Sequence, residues 1–315
     1  MPRLIVKHTT VYRYRQPVGF GEHRLMFRPR TSHDMRVIDT ALMVSPSAEI
    51  RWMHDVFSNS IAVARFADQA NELRVESLVE IEHFGLDALE FPLDEHAKTF
   101  PFRYHADEVA DLGRSDERHY PDPQWQIDAW ARTFLDRGLN SGTQDVLFRI
   151  NTAIHEQFRY QRRHSVGVQT PVETLSLGSG TCRDLAVFMM EAVRSLGFAA
   201  RFVSGYLYDP ALDTTVREND LFSSQEQIPA QGDGASSSQV SMKGAGDTHA
   251  WVQVFLPGAG WVEFDPTNGL VGGANLIRVA VARDPAQAVP LQGTYFGPGD
   301  AFEEMQVDVQ VLSGD

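Results

Sequence analysis

Residues 178–197 read Gly-Ser-Gly-Thr-Cys-Arg-Asp-Leu-Ala-Val-Phe-Met-Met-Glu-Ala-Val-Arg-Ser-Leu-Gly and predict a helix that begins at the only cysteine of the chain, Cys182. Apolar side chains recur every three or four residues behind it, and Gly197 can end the helix. Thr181 suits the N-cap position, with Asp184 three residues on as a variant of the capping box. Backbone N–H groups at a helix N-terminus carry partial positive charge, which favours a thiolate over a thiol. The pattern therefore indicates a nucleophile, and the alternative is a cysteine that serves as a small buried hydrophobic residue.

Residues 247–268 predict a β-hairpin that carries a histidine and an aspartate at its open end. Two runs rich in β-branched and aromatic residues flank a Pro-Gly-Ala-Gly turn at 257–260. His249 falls at the start of the first strand, and Asp265 falls at the end of the second. Because antiparallel pairing brings these two ends together, we expect the imidazole and the carboxylate to be neighbours.

Cys182, His249 and Asp265 together predict a thiol triad. A histidine held by Asp265 through one ring nitrogen can use the other nitrogen to deprotonate Cys182, as in thiol acyl-transfer enzymes. Taken singly, the histidine is explained as an edge residue of a strand and the aspartate as part of a turn. The same three side chains with a water molecule also form a chemically allowed zinc site, although this mixed ligand set is unusual.

Five motifs, in this order, resemble the transglutaminase-like superfamily and, within it, the bacterial proteins described as cysteine proteases. They are Gly180-Thr-Cys-Arg-Asp184, Ala199-Ala-Arg-Phe-Val-Ser-Gly-Tyr206, His249-Ala-Trp251, Pro257-Gly-Ala-Gly-Trp261 and Asp265-Pro-Thr-Asn-Gly269. The resemblance implies a papain-like core in which Cys182 is the nucleophile, His249 the general base and acid, and Asp265 the residue that orients the histidine. One departure from the family pattern is Asp247-Thr248, which replaces a small residue and a serine. We expect this change to alter the rim of the site.

The N-terminal part resembles the β-rich domain that precedes this core in the same subfamily. The matching segments are His8-Thr-Thr-Val-Tyr-Arg-Tyr14, Leu25-Met-Phe-Arg-Pro29 and Asp55-Val-Phe-Ser-Asn59. Together the matches span nearly the whole chain. They imply an α+β fold, in which an N-terminal antiparallel β-rich domain precedes a core with the cysteine at a helix N-terminus packed on an antiparallel sheet.

The resemblance implies a thiol-dependent acyl-transfer enzyme that acts on peptide or protein amide bonds through a thioester, without a metal or a cofactor. We expect hydrolysis in slight preference to amine transfer, because the sequence has no evident calcium-binding loop like that of animal transglutaminases. Two alternatives stay open: a protein-glutamine γ-glutamyltransferase, and a non-catalytic module that binds peptides in the same groove. The triad residues alone do not decide between water and an amine as acceptor.

Two aromatic residues are candidates for contact with the substrate. Tyr160 follows a predicted helix at the position where the resemblance places a cleft wall, and an ordinary amphipathic tyrosine is its alternative. Trp251 points to the same side of its strand as His249, so it either walls the acyl site or belongs to the core. The backbone N–H of Cys182 is a candidate donor to the oxyanion.

Composition favours an intracellular enzyme and excludes several other classes. The chain of 315 residues has 43% hydrophobic residues and a formal net charge of -14, which opposes binding to nucleic acid. A single cysteine excludes an intrachain disulfide framework. The opening residues lack a sustained apolar segment, and no run approaches the roughly 20 residues that span a bilayer. We therefore expect a cytoplasmic protein with a peptide or protein substrate and no membrane partner; the sequence does not reveal its oligomeric state.

The hydrophobic period changes once along the chain and predicts the domain organisation. Up to about Phe84 the segments alternate with period two, and helical spacing begins near Ile127. The clearest inward-facing set is Leu73, Val75, Ser77, Val79 and Ile81. We predict a β-rich domain at 1–105, a linker at 106–123 and a catalytic core at 124–315. Alternating residues at 305–311 predict a last strand that completes a sheet.

A polar excursion at 209–246 interrupts the predicted core. It is rich in Gln, Ser and Gly and cannot bury enough apolar surface to order itself, so we expect a flexible insertion. Its position just before His249 allows a lid over the cleft. A tolerated surface insertion is the preferred interpretation, because loop length costs little free energy.

Overall fold

The computed structural model describes residues 3–85, 91–136, 140–163, 167–212, 242–243 and 246–314. Within these ranges the chain combines an antiparallel β-rich N-terminal region with helices packed on a second antiparallel sheet, which confirms the predicted α+β class. No helix in the described ranges has both the length and the apolar character needed to cross a membrane. Most of the insertion predicted at 209–246, and with it the proposed lid, lies outside the described residues.

Two antiparallel sheets form the N-terminal region. Their strands from the first part of the chain are β1 Arg3–Phe20, β2 His23–Leu25, β3 Met35–Ser45, β4 Ala48–His54, β5 Ser60–Phe66 and β6 Ala70–His83. β1, β6 and β3 are neighbours in one sheet, and β2, β5 and β4 are neighbours in the other. The alternating side chains predicted to face inward on β6 are all buried, because this face is covered by the rest of the molecule.

Short elements lead from this region to the core. In chain order they are β7 Thr99–Phe100, α1 Ala106–Leu112, α2 Gln126–Arg132, β8 Ser141–Gly142, α3 Thr143–Gln157, β9 Arg159–Tyr160, α4 Pro171–Leu177, β10 Ser179–Gly180 and α5 Cys182–Ser195. Single turns of 3-10 helix occur at Glu95–Ala97, Pro210–Leu212 and Pro285–Gln287. The predicted helices before the cysteine correspond to α2 and α3.

The core is an antiparallel sheet with α5 packed on one face. Its strands are β11 Ala200–Leu207, β12 His249–Leu256, β13 Gly260–Asp265, β14 Leu270–Val271 and β15 Leu276–Ala282, in the order β14-β13-β12-β11-β15. Val252 and Val254 of β12 share one buried apolar cluster with Phe188 and Ala192 of α5. The other face of β12 bears His249 and is therefore turned away from most of the helix.

The end of α5 follows from its sequence. The helix stops where Gly197 adopts a φ of 92°, a left-handed conformation that glycine accepts without steric cost. The chain then returns directly as β11, which lies between β12 and β15 in the sheet. This short return keeps the N-terminus of α5 at the same end of the core as the open end of the hairpin.

The C-terminal strands do not follow the predicted division into domains. They are β16 Leu291–Gln292, β17 Tyr295–Phe296 and β18 Phe302–Gly314. β18 pairs with β1 from Arg3 opposite Gly314 to Tyr14 opposite Phe302, so it completes the N-terminal sheet. The assignment of all residues at 124–315 to the core is wrong for this strand. The physical reason is that β1 would otherwise leave a long row of backbone groups unpaired at a sheet edge.

The N-terminal sheet packs against the core sheet through an apolar cluster. Leu4, Val6 and Val79 meet Tyr206 and Ile277, and all five side chains are buried. The N-terminal region therefore packs directly against β11 and β15 of the core sheet.

Candidate active site

Cys182 is the first residue of α5, as predicted. The side chain of Thr181 accepts a hydrogen bond from the backbone N–H of Asp184 at 3.3 Å, and Asp184 Oδ2 accepts one from the N–H of Thr181 at 2.9 Å. This reciprocal pair is the predicted capping box. The cysteine is 8% exposed, so its thiol is open to the outside only through a narrow approach.

Asp184 has a structural role, as the sequence indicates. Its side chain is fully buried and accepts hydrogen bonds from the Arg163 Nε and Nη2 atoms, each at 3.0 Å. The backbone N–H of Gln169 donates to it at 2.7 Å. These contacts fix the loop ahead of α4 against the N-terminus of α5 and therefore hold the backbone on either side of the cysteine.

His249 and Asp265 meet at the open end of the β12–β13 hairpin. The Nε2 atom of His249 lies 2.8 Å from Oδ2 of Asp265, and both side chains are buried. The hairpin register, with Val252 opposite Phe264, carries the two residues to the same end of the sheet. The neighbour relation predicted from antiparallel pairing is therefore present.

The turn after β13 orients the aspartate. Asn268 Nδ2 donates to Asp265 Oδ2 at 2.8 Å, and the N–H of Thr267 donates to Oδ1 at 2.9 Å. His155 Nδ1 lies 2.9 Å from the Thr267 carbonyl and joins α3 to this turn. Burial acts to raise the pKa of Asp265, but the charge of His249 and these hydrogen bonds hold it below its ordinary value. The carboxylate is thus kept ionised and in one orientation.

The second ring nitrogen of His249, Nδ1, is not used to bind Asp265. Nδ1 is buried and has no nitrogen or oxygen partner among the described residues. The thiol of Cys182 is close enough to this imidazole to contribute to its pKa. Burial acts to lower the pKa of His249, but Asp265 by charge and hydrogen bond, followed by Cys182, raises it to about 10. At neutral pH this arrangement favours the imidazolium form of His249.

Trp251 supports the imidazole from inside the protein. Its ring stacks on His249 with centroids 5.9 Å apart and an interplanar angle of 27°. The side chain is 0% exposed and has no surface to offer a substrate, so its predicted role as a cleft wall is wrong. The sequence placed Trp251 on the same side as His249 but did not show that the N-terminal region and β11 cover this side.

Glu263 binds the indole of Trp251, and Gly205 leaves the space that the ring occupies. Neither residue is among the site residues predicted from the sequence. The indole Nε1 donates to Glu263 Oε2, while Glu263 Oε1 also accepts from Gln253 at 2.6 Å and pairs with Arg278 at 2.5 Å. A Cβ atom on Gly205 would lie 2.1 Å from the Ile277 carbonyl oxygen and 2.7 Å from Trp251 Cη2. The sequence could have indicated Glu263, because a charged residue within an apolar strand needs a buried partner.

Tyr160 lies beside the thiol at the mouth of the site. Parallel pairing of β9 with β10 sets Tyr160 opposite Gly180, two residues before Cys182. The side chain is half-buried, and burial, followed by the charge of Cys182, raises its pKa. The tyrosine is therefore partly exposed and near the sulfur of Cys182.

An ion pair crosses the rim next to Tyr160. Arg162 Nη2 lies 2.6 Å from Asp247 Oδ2, and the arginine side chain is 68% exposed. Asp247 is the residue at which the chain departs from the family pattern. The departure thus adds a charged contact at the rim while the three predicted triad residues stay in place.

The described residues do not contain a group of three or more His, Cys, Asp or Glu side chains in a metal-binding arrangement. His249 instead uses Nε2 for Asp265 and has its other nitrogen toward Cys182. The contacts of the three side chains therefore follow the linear order of thiol, imidazole and carboxylate.

Two known families match the chain, one over the N-terminal region and one over the core. The bacterial transglutaminase-like N-terminal region matches residues 4–82, and the transglutaminase-like superfamily matches residues 128–266, which include Cys182, His249 and Asp265. Both matching segments, 4–82 and 128–266, are thus similar to transglutaminase-like proteins. This confirms the resemblance identified in the sequence and supports a thiol-dependent enzyme as the general class.

Similar proteins agree with this assignment over different lengths. A crystal structure of "a putative cysteine protease" from Cytophaga hutchinsonii has a TM-score of 0.64 and 17% identity, and the match covers 98% of this chain and 90% of that one. An uncharacterized protein of Mycobacterium leprae is 25% identical over 99% of this chain and 100% of its own length. Another of Mycobacterium tuberculosis is 31% identical over 54% of this chain and 48% of its own length. The structural likeness shows the fold, and neither mycobacterial description adds an activity.

Proposed function

We propose that the protein is a thiol acyl-transfer enzyme that cleaves amide bonds of peptides or proteins, with Cys182, His249 and Asp265 as its catalytic triad. The observation that carries the proposal is the buried imidazole whose Nε2 is held by Asp265 and whose Nδ1 is left for the thiol. Nucleophile, proton carrier and orienting carboxylate are the parts that such chemistry requires.

The first half of the reaction forms a thioester. The Cys182 thiolate attacks the amide carbonyl carbon, and the carbonyl oxygen takes the negative charge. The imidazolium of His249 then gives its Nδ1 proton to the departing amine, and the carbon–nitrogen bond breaks. The products are a free amine, an acyl group on the Cys182 sulfur and a neutral imidazole whose Nε2 proton stays bonded to Asp265.

The second half returns the enzyme to its starting state. The neutral imidazole accepts a proton from water at Nδ1 while the water oxygen attacks the thioester carbon. The carbon–sulfur bond breaks, the acyl group leaves as a carboxylic acid, and the thiolate beside the imidazolium is restored. A primary amine in place of water would give a new amide by the same steps.

The start of α5 supports stabilisation of the oxyanion. Cys182 occupies the first position of the helix, where the backbone N–H has no acceptor within the helix. This N–H and the positive end of the helix dipole are suited to the charge that develops on the carbonyl oxygen. We assign Tyr160 to the wall of the cleft, because it is half-buried and close to the sulfur.

We favour water as the acceptor and the cytoplasm as the location. A single thiol that must stay reduced suits a reducing compartment. Fractionation of cells followed by detection of the protein tests the location, and recovery outside the cytoplasm would contradict it.

Turnover of a peptide library with and without an added primary amine tests the reaction. We expect cleavage by the wild-type protein, none by Cys182→Ala, and no incorporation of the amine. Ser195→Ala, at the opposite end of the same helix, is the matched control and should retain activity. Amine incorporation that depends on Cys182 would identify a transferase instead.

Alkylation by iodoacetamide separates an enzyme from a peptide-binding module. A thiolate paired with imidazolium should react rapidly at pH 6, well below the pKa of about 8.5 of an ordinary thiol. His249→Gln should remove this reactivity at low pH. Alkylation of the wild type only after denaturation would support a non-catalytic groove.

A further inference from the structure

A cavity of about 670 Å³ lies between the N-terminal region and the face of the core sheet that α5 leaves free. Arg30, Phe57 and Asn59 line it from the N-terminal side, and Arg201, Trp261 and Val281 line it from the core. The described residues that form its wall include no member of the proposed triad and not Tyr160. The cavity is therefore separate from the thiol site, and its volume falls in the usual range for small-molecule pockets, roughly 300–1,000 Å³.

Arg201 is held flat against one wall of this cavity. Its guanidinium carbon lies 4.0 Å from the centroid of the Trp261 ring, and its Nε donates to Gln253 Oε1 at 2.6 Å. In the part of the chain that the structure describes, its two terminal nitrogens have neither a hydrogen-bond acceptor nor a carboxylate partner. The indole thus fixes the plane of the guanidinium, and a fork of two N–H donors is available to a ligand.

The wall of the cavity carries one positive charge in excess, since Arg30, Arg201 and Arg278 face only two carboxylates, Asp34 and Glu263. The carboxylates of Asp34 and Glu263 are both engaged by Arg278, at 3.2 and 2.5 Å. Arg30, whose Nη1 donates to the Phe57 carbonyl at 3.1 Å, adds a second cation beside Arg201. Burial lowers the pKa of Arg201 to about 10; the charge of Glu263 opposes this shift, and those of Arg278 and Arg30 add to it. A bound anion would relieve this imbalance.

We propose that this cavity binds a small organic monocarboxylate. Its carboxylate is held by Arg201 and Arg30, and its apolar part lies against Phe57 and Val281. The two terminal nitrogens of Arg201 match the two oxygens of a carboxylate. Asp34 and Glu263 on the same wall disfavour a ligand of higher negative charge, such as phosphate. The site is independent of the reaction at Cys182.

Calorimetric titration of the full-length protein with a panel of monocarboxylates, from acetate to phenylacetate and N-acetylphenylalanine, tests the proposal. We expect saturable binding of at least one aromatic member and at least about tenfold weaker binding of its uncharged amide, since a hydrogen bond to a charged group is stronger than one to a neutral group. Inorganic phosphate should bind more weakly than that acid.

Three arginine variants assign the binding to the cavity. Arg201→Met should weaken the acid at least about tenfold, and Arg30→Met should weaken it less. Arg51→Met changes an exposed arginine of β4 outside the cavity and should leave the affinity unchanged. Thermal unfolding of each variant shows whether it is folded. If Arg201→Met does not fold, Arg30→Met still tests the proposal.

Three results would overturn the proposal. They are the absence of saturable binding by every acid of the panel, equal affinity for the acid and its amide, and wild-type affinity in both cavity variants. Tighter binding of phosphate than of any monocarboxylate would overturn the ligand class.

Discussion

The two ends of α5 carry two buried polar clusters that differ in one respect. At the N-terminus Cys182 meets His249 and Asp265, and at the C-terminus Glu191 pairs with Arg194. Both clusters are charged and almost inaccessible to solvent. All three guanidinium nitrogens of Arg194 donate hydrogen bonds within the protein, whereas in the N-terminal cluster His249 Nδ1 has no hydrogen-bond partner among the described residues.

The C-terminal cluster joins α5 to the segment between the two regions. Arg194 pairs with Glu191 at 3.0 Å and also donates to three backbone carbonyls. These are the carbonyls of Ser115, Ala200 and Arg283, at 2.8 to 3.0 Å. Glu191 accepts in turn from the backbone N–H groups of His119 and Tyr120 at 3.1 and 3.2 Å. The predicted linker at 106–123 is thus fastened to the helix in its second half.

Under the proposed function, the difference separates buried charges that stabilise the fold from buried charges that take part in the reaction. A buried charge whose partners are complete stabilises a particular packing, because removing one partner leaves the other unpaired at high cost. A buried titratable group with one side left open can accept and return a proton. The following predictions disturb the two ends of α5 separately.

Cys182→Ala has the largest expected effect on activity. Removal of the nucleophile should lower kcat/KM by more than about 10,000-fold, because no thioester can form. The free energy of unfolding should change by only about 1 kcal/mol or less, since the substitution removes one small atom group. Steady-state kinetics and urea unfolding measure the two quantities. A large loss of stability together with retained activity would reverse the assignment.

Asp265→Asn comes next. The amide cannot stabilise the imidazolium and favours the wrong orientation of the ring, so kcat should fall by about 1,000-fold or more while KM changes little. Asn268→Ala removes only one donor to Asp265 and is the graded comparison, with a smaller loss. Equal activity of Asp265→Asn and wild type would show that the carboxylate does not orient the base.

Arg194→Met disturbs the opposite end and should act on stability alone. Loss of the guanidinium leaves the buried Glu191 with only Arg118, at 3.6 Å, as a cation and removes the donor to three backbone carbonyls, and we expect a decrease of about 3–5 kcal/mol in the free energy of unfolding. The matched control is Arg132→Met, which breaks an exposed pair on α2 and should cost less than about 1 kcal/mol. Urea unfolding gives the values, and kcat per folded molecule should be unchanged. A selective loss of kcat would contradict the structural role of this cluster.

The pH dependence sharpens the comparison. The pKa of His249 is raised from 6.5 to about 10, so the imidazolium contributes stability that is fully present below about pH 6.5 and is lost as pH rises through about 10. Activity should fall along the same alkaline limb, because the leaving amine then lacks its proton donor. Rate profiles of wild type and Asp265→Asn measure this, and the limb should move to lower pH in the variant. An alkaline limb that stays in place would contradict the role of Asp265.

Trp251→Phe has the smallest expected effect. Phenylalanine keeps an aromatic ring on His249 but loses the hydrogen bond to Glu263, so the imidazole should be less well positioned. We expect kcat to fall about tenfold with KM unchanged, as for a group that acts through another residue. Trp52→Phe, in an exposed position on β4, is the control. A change in KM alone would indicate that Trp251 contacts the substrate after all.

The sequence predicts those parts of the molecule that depend on local pattern. The capped start of α5 and the β12–β13 hairpin follow from residue spacing and turn residues. The meeting of His249 and Asp265 follows from antiparallel pairing across that short hairpin. The capped helix start predicts Cys182, which is distant in the chain, as the partner of both, and the family resemblance supports this prediction.

The remaining features depend on contacts between distant segments. The alternation at 305–311 predicts a strand, yet nothing in it selects β1 as the partner of β18, because the two lie at opposite ends of the chain. Arg194 near a helix C-terminus is compatible with a solvent-exposed cation that balances the helix dipole. Its burial arises only when residues 115–120 fold over it. For the same reason the pattern could not show that Trp251 is covered.

Intact-protein mass spectrometry during turnover of the best library peptide tests the central claim most directly. Acid-quenched wild-type protein should carry one acyl group of the substrate, located on Cys182 by peptide mapping and released by neutral hydroxylamine as expected for a thioester. Cys182→Ala should carry none and should not turn over the peptide. Turnover by Cys182→Ala, or an acyl group located on a different residue, would contradict the account.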